Sequence, residues 1–212
     1  MVKPAGRNTK PLLGITIGDP AGIGPEIALK ALRRTEVLEK SIPVVYSDRI
    51  VLEDAIKITG LDFNLNPVNE PEQAKGYPGI IDYIEAGVIV KSDDYSYGAA
   101  GVKSAEAAFQ YIIKAINDAM AKKIDAVVTC PISKEAIDLA GHHFAGHTEI
   151  FAHYTNTKKY GSFASSSIGI YSSRRQPETH IERFYHSFQK WRNTTFARLH
   201  VPYKNRKCVP FR

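Results

Sequence analysis

Three short clusters gather the residues best able to do chemistry. The first runs Gly18-Asp19-Pro20-Ala21-Gly22-Ile23-Gly24-Pro25-Glu26. Its glycines, placed before a helix, would let backbone amides approach an anion at the positive helix end. The spacing matches neither GxGxxG nor a P-loop. The residues alone favour a structural turn capped by Asp19, with contact between Asp19 and a substrate as the alternative. The second cluster, Thr129-Cys130-Pro131-Ile132-Ser133-Lys134, follows an apolar strand. Lys134 there offers a point charge to phosphate or carboxylate, or is simply a solvated helix lysine. Cys130 reads as a small buried residue, because nothing near it would lower a thiol pKa. The third cluster, Gly141 to Glu149, holds His142, His143 and His147. A zinc site would need further ligands at suitable spacing, so His142 and His143 read as loop residues. His147 and Thr148 together can hydrogen-bond a phosphate or a hydroxyl at a helix start, or Thr148 may be read as a plain N-cap.

Alternating strands and helices must position these clusters. The apolar run Leu12 to Ile17 predicts a buried strand closed by Gly18-Asp19-Pro20, and Pro25-Glu26 opens a helix. Val44 to Tyr46 predicts a second strand and Val51 to Ile58 a helix, while 61–79 reads as loop or weak edge. Short strands are expected at Ile80 to Ile84 and Gly87 to Val90. From Ala99 to Lys123, apolar residues Val102, Ala105, Phe109, Ile112, Ile113, Ile116 and Met120 recur at helical spacing and form one face. A strand at Ile124 to Thr129 and a helical stretch from Ser133 to Leu139 complete the pattern. This order predicts an α/β fold with a largely parallel sheet.

Composition narrows the function classes. The 212 residues are 43% hydrophobic and 24% charged, as in ordinary globular chains. No apolar run is long enough for a membrane span, and the first residues are too polar for a secretory signal. Two cysteines in no metal-type spacing complete the expectation of a cytoplasmic protein with reduced thiols. The net charge of +6 comes from the tail: residues 161–212 hold 10 Lys+Arg against 2 Asp+Glu. No nucleic-acid motif accompanies this charge, so neither nucleic acid nor membrane is expected as a partner. The tail also holds seven of eleven arginines and a single leucine, Leu199. Helical spacing is sustained only around 180–193.

GDPAGIGPE, AVVTCPISKEAIDLAG and GHTEIFA, in that order, resemble the 4-hydroxythreonine-4-phosphate dehydrogenase family of vitamin B6 biosynthesis. The stretch PISKEAIDLAGHHFAGHTEIFA is most similar in wording to its branch acting on D-threonate or D-erythronate 4-phosphate. The resemblance covers about residues 11–160. It implies an isopropylmalate-dehydrogenase-like α/β fold, a parallel or mixed sheet with flanking helices, incomplete in this chain. It further implies a homodimer that uses NAD and a divalent metal cation to oxidise, with decarboxylation, a small 4-phosphorylated hydroxy acid. By the same resemblance His147 and Thr148 bind substrate; Lys134 and Asp19, from the residue reading above, are the further candidates for the substrate region. The family's metal-binding histidines lie beyond GHTE. His180 falls near the place of the first, but its surroundings differ and no metal role is transferred to it. The expected division is therefore 1–160, the front of a dehydrogenase, and 161–212, a basic tail produced by a shifted reading frame. An inactive remnant that keeps part of the phosphorylated-substrate site is the alternative, and a basic-tailed nucleic-acid binder is a third reading.

Overall fold

Leu12–Thr16 (β1) is buried because parallel strands flank it on both sides. In a computed structural model that describes residues 10–157 and the two-residue strand at 170–171, the chain forms one six-stranded sheet. The other strands are Ile42–Ser47 (β2), Asn64–Pro67 (β3), Ile80–Glu85 (β4), Ala126–Thr129 (β5) and Ile170–Tyr171 (β6). Their order is β3-β4-β2-β1-β5-β6, parallel throughout except for antiparallel β6 against β5. The helices are Gly24–Leu32 (α1), Thr35–Lys40 (α2), Arg49–Thr59 (α3), Val102–Met120 (α4), Lys134–Leu139 (α5) and His147–Tyr154 (α6). The α/β class read from the sequence is observed. The tail beyond 157, including His180 and the 180–193 stretch, lies outside the described residues apart from 170–171.

From β1 the chain moves to β2, out to the edge strand β3 and back to β4 on one flank, then crosses through α4 to β5 on the other. The crevice beyond the carboxyl ends of β1 and β5 is thus a topological switch point, where open α/β sheets bind ligands. Register places Thr16 opposite both Tyr46 of β2 and Thr129 of β5, so the loops after β1 and β5 leave the sheet side by side.

α4 packs across the sheet through Ala105, Ala108, Phe109, Ile112, Ala115 and Ile116, all buried. Val102 and Met120, expected on that face, are exposed, because they sit in the terminal turns where the helix runs past its packing surface. Lys122, at φ 64°, stops the helix, and the Lys123 amide donates back to the Asp118 carbonyl. Tyr46 lies flat over Gly14, where a Cβ would meet its ring at 2.8 Å. Its hydroxyl donates to Asp118 Oδ2 of α4 at 2.8 Å, and burial beside that carboxylate pushes the phenol well above its usual range. Tyr46→Phe removes one such bond and should cost about 1 kcal/mol in chemical denaturation. An unchanged midpoint would show that the bond adds nothing.

One expectation needs correction. Gly87 to Val90 is not a strand. The Ala86, Gly87, Val88 and Ile89 amides all donate to the buried Asp48 carboxylate, which leaves them none to offer a neighbouring strand. The 61–79 region holds the weak edge read there, the short strand β3, ended by Pro67, which cannot donate to a ladder.

Candidate functional site

The turn after β1 is locked onto the loop after β5. The Cys130 amide donates to the Thr16 carbonyl at 3.0 Å, and the Asp19 amide donates to the Pro131 carbonyl at 3.0 Å. Gly18 makes this approach feasible: a Cβ there would lie 2.3 Å from the Pro131 oxygen, and its φ is +80°. At Gly24, opening α1, a Cβ would meet the Ile17 oxygen at 2.3 Å. These two glycines answer to backbone crowding within the fold, whereas a Cβ at Gly22 would make only ordinary contacts. Asp19 is buried, and its Oδ1 accepts from the Ala21 amide at 2.9 Å, the local cap foreseen for it. A third loop joins through the Gly98 amide, which donates to the Ala21 carbonyl at 2.8 Å.

Beyond β5, Ser133 caps α5, its Oγ accepting from the Ala136 amide at 3.2 Å. Burial alone pushes the Cys130 thiol up to about 12, so at neutral pH it is not a nucleophile. Lys134, on the exposed first turn of α5, runs against Gly146: a Cβ on that glycine would meet Lys134 Cε at 3.4 Å and Nζ at 3.8 Å. Lys134 therefore stands directly before His147, the first residue of α6. Thr148, half-buried, lies inside the first turn rather than at its N-cap, which is Gly146.

His147 completes the corner. Its Nε2 is buried with no hydrogen-bond partner among the described residues. Desolvation holds the imidazole below its ordinary pKa, and the Lys134 charge pushes the same way. A histidine whose folded pKa is depressed takes up fewer protons folded than unfolded. Its contribution is complete above the unfolded value of 6.5 and is eroded as pH falls through 6.5 toward the lower folded value. His147→Gln should therefore flatten part of the stability loss below pH 6.5, measured by melting temperature at stepped pH. An unaltered slope would contradict that assignment.

The other two histidines are engaged elsewhere. His142 Nε2 lies 2.6 Å from Glu106 Oε2, and its ring stacks on Phe109 at 3.6 Å. His143 Nδ1 lies 2.6 Å from Asp138 Oδ1. Both are loop residues with structural contacts. Among the described residues no group of three or more His, Cys, Asp or Glu could hold a metal ion. No described helix is long and apolar enough to cross a membrane.

The structure thus gathers Asp19, Lys134, His147 and Thr148 around the ends of β1 and β5. What sequence reading missed is the pair of main-chain bonds, Cys130 to Thr16 and Asp19 to Pro131, that no side-chain pattern advertises. Comparison with known proteins follows the same ground. Residues 39–170 match the family described as pyridoxal phosphate biosynthetic protein PdxA. A protein of Oceanobacillus iheyensis with the provisional name D-threonate 4-phosphate dehydrogenase is 40% identical over 158 residues, 74% of this chain and 47% of its own length. Its counterpart in Symbiobacterium thermophilum, with the same provisional name, is 43% identical over 150 residues, 71% of this chain and 44% of its own. A crystal structure of a 4-hydroxythreonine-4-phosphate dehydrogenase from Burkholderia phymatum superposes with a TM-score of 0.68 at 38% identity. That match covers 72% of this chain and 46% of the other. The chain spans a little under half the length of these curated relatives. The family match carries the second and third chemical clusters together with strands β2 to β5, and the chain belongs to the PdxA family.

Proposed function

We propose that this chain takes part in the oxidation of the secondary alcohol of a small 4-phosphorylated hydroxy acid. D-Threonate or D-erythronate 4-phosphate and 4-hydroxythreonine 4-phosphate are the candidate substrates. The observation that carries the reading is the His147 corner: a buried, unpartnered ring nitrogen beside a lysine, at the switch point of an α/β sheet. The names of the relatives support the substrate class. NAD, when bound, accepts the hydride, and the resulting β-keto acid can lose carbon dioxide. His147 and Thr148 orient the substrate, Lys134 supplies positive charge for its anionic end, and Asp19 shapes the adjoining turn. The working form is proposed to be a cytoplasmic homodimer.

A second reading has its own support, the lack of a metal cluster among the described residues: the chain binds the phosphorylated acid but does not turn it over. The test is NADH formation, followed by absorbance, with added divalent cation and each substrate, alongside calorimetric binding. Turnover supports the first reading, binding without turnover the second, and neither rejects both. His147→Ala should weaken binding roughly tenfold, the worth of one hydrogen bond.

A further inference from the structure

Residues 140–146 carry the chain from the end of α5 to the start of α6, and so set how His147 and Thr148 stand to Lys134. The second turn of α6 is fixed by the core, where Ile150 and Phe151 are buried. Its first turn is held less firmly. Gly146, His147, Thr148 and Glu149 are only partly buried, and the N-cap, Gly146, has no side chain to bond the first amides. Within the bend, Gly141, at φ +88°, and Ala145 are exposed and bring no polar side chain. The His143–Asp138 contact is exposed to water on both sides and reaches only back to α5.

His142 is gripped differently. Glu106, Phe109 and Gln110 lie at i, i+3 and i+4 on one face of α4. His142 Nε2 lies 2.6 Å from Glu106 Oε2, and Gln110 Nε2 donates to Glu106 Oε1 at 2.8 Å. The imidazole stacks on Phe109, with centroids 3.6 Å apart and planes 11° from parallel. Burial pushes the Glu106 carboxyl up, but the bonds from His142 and Gln110 outweigh it and hold it below the ordinary carboxylate range. A carboxylate only accepts, so His142 Nε2 carries a proton and donates it. The main chain ties the same residue to both sides of the bend: its amide donates to the Ile137 carbonyl at 3.1 Å, and its carbonyl accepts from the Phe144 amide at 2.9 Å.

A bond to an ionised carboxylate is stronger than a neutral one, and partial burial shields it from water. It joins the bend to α4, which is itself packed across the sheet. We propose that Glu106 and His142 are positioning residues for the substrate corner: their bond fixes the bend between α5 and α6 and thereby places His147 and Thr148 beside Lys134. This rests on the reading of that corner as the substrate site and deepens it by naming what holds it in shape. Neither residue touches the ligand. When the bond is broken the first turn of α6 spends part of its time elsewhere, and apparent affinity falls by the fraction of binding-ready corner that is lost.

The experiment uses the full chain and separates the bond from the ring. His142→Phe keeps the stack on Phe109 and loses the donor. His142→Gln keeps a donor near the place of Nε2 and loses the ring. Glu106→Met removes both acceptor oxygens at similar length, and Asp138→Asn, which touches only the exposed His143 contact, is the control. Each variant is titrated calorimetrically with D-erythronate 4-phosphate, and the amide resonances of His147 and Thr148 are compared without ligand. His142→Phe and Glu106→Met should each weaken binding roughly tenfold and shift those amides, and the double variant should lose no more than either. His142→Gln and Asp138→Asn should stay within about threefold of the parent, with the amides in place. A role confined to stability would lower the melting temperature and leave the affinity of folded molecules unchanged; that result overturns the proposal. So does His142→Gln falling as far as His142→Phe, or losses that multiply in the double variant. If His142→Phe does not fold, Glu106→Met set against His142→Gln makes the same comparison. If the parent itself does not bind D-erythronate 4-phosphate, the substrate reading fails and the amides alone decide the positioning: unmoved in His142→Phe and Glu106→Met, they overturn it.

Discussion

Asp48→Ala is expected to be among the most destabilising single substitutions in this chain, lowering its stability by about 4 kcal/mol or more. Asp48 is fully buried, and its carboxylate accepts from the Ala86 amide at 3.0 Å, the Val88 amide at 3.1 Å, the Ile89 amide at 2.6 Å, the Gly87 amide and the Tyr111 hydroxyl at 3.0 Å. Tyr111 is a reliable donor, since burial beside this carboxylate raises its pKa well above the ordinary phenol value. Truncation strands these donors, of which the Ile89 amide and the Tyr111 hydroxyl are buried at the contact. Each buried donor without a partner costs about 1–3 kcal/mol, so a loss of about 4 kcal/mol or more is expected. That is a large fraction of the roughly 5–15 kcal/mol available to a domain. Asp48→Asn, which turns an NH₂ against the amides, should also destabilise severely, whereas Tyr111→Phe, which removes one donor to the carboxylate and the acceptor of the Asp48 amide at 3.3 Å, should cost less, about 2 kcal/mol. Urea melts followed by circular dichroism give the ranking; a melting temperature for Asp48→Ala within about 3 °C of the parent would refute it.

Asp48 also marks the boundary of what could be read from residues alone. Strands β1, β2 and β4 and helices α1, α3 and α4 were legible because apolar runs and helical spacing report burial directly. The run Gly87 to Val90 looked equally apolar, but its amides answer to a carboxylate 38 to 41 residues earlier, a long-range demand that periodicity cannot encode. α2 escaped notice because six residues with one buried side chain, Leu38, make no pattern. At the site, the side chains Asp19, Lys134, His147 and Thr148 were visible as types. Their convergence depends on strand order, which places β5 beside β1 rather than beside β4. The main-chain bonds that lock the β1 turn to the β5 loop leave no mark in the sequence at all.

Gly18→Ala should be the most damaging small substitution near the site, and three glycines allow its cost to be divided. At Gly60 the backbone is left-handed, at φ +63°, but nothing lies within 4 Å of an added Cβ. Gly60→Ala therefore measures conformational strain alone, about 1 kcal/mol. At Gly24 the conformation is helical, but the Cβ would fall 2.3 Å from the Ile17 oxygen, so Gly24→Ala measures collision alone. Gly18 combines both: φ +80° and a Cβ 2.3 Å from the Pro131 oxygen, 3.1 Å from Cys130 Cβ. Backbone cannot swing aside as a flexible side chain can. The loop after β5 must retreat, and the Asp19–Pro131 bond at 3.0 Å is lost with it. Strain plus the lost bond comes to about 3 kcal/mol. Because the same loop leads into Lys134, which packs against Gly146 beside His147, retreat also disturbs the His147 corner. Gly18→Ala should therefore lower stability by more than Gly60→Ala and, unlike Gly60→Ala, weaken binding of D-erythronate 4-phosphate at least tenfold in the molecules that remain folded. Gly22→Ala, whose Cβ would approach nothing closer than 3.5 Å, should change neither measurably. Equal losses for Gly18→Ala and Gly60→Ala would mean that the β1 turn and the β5 loop are not locked together, and that the His147 corner is positioned by some other means.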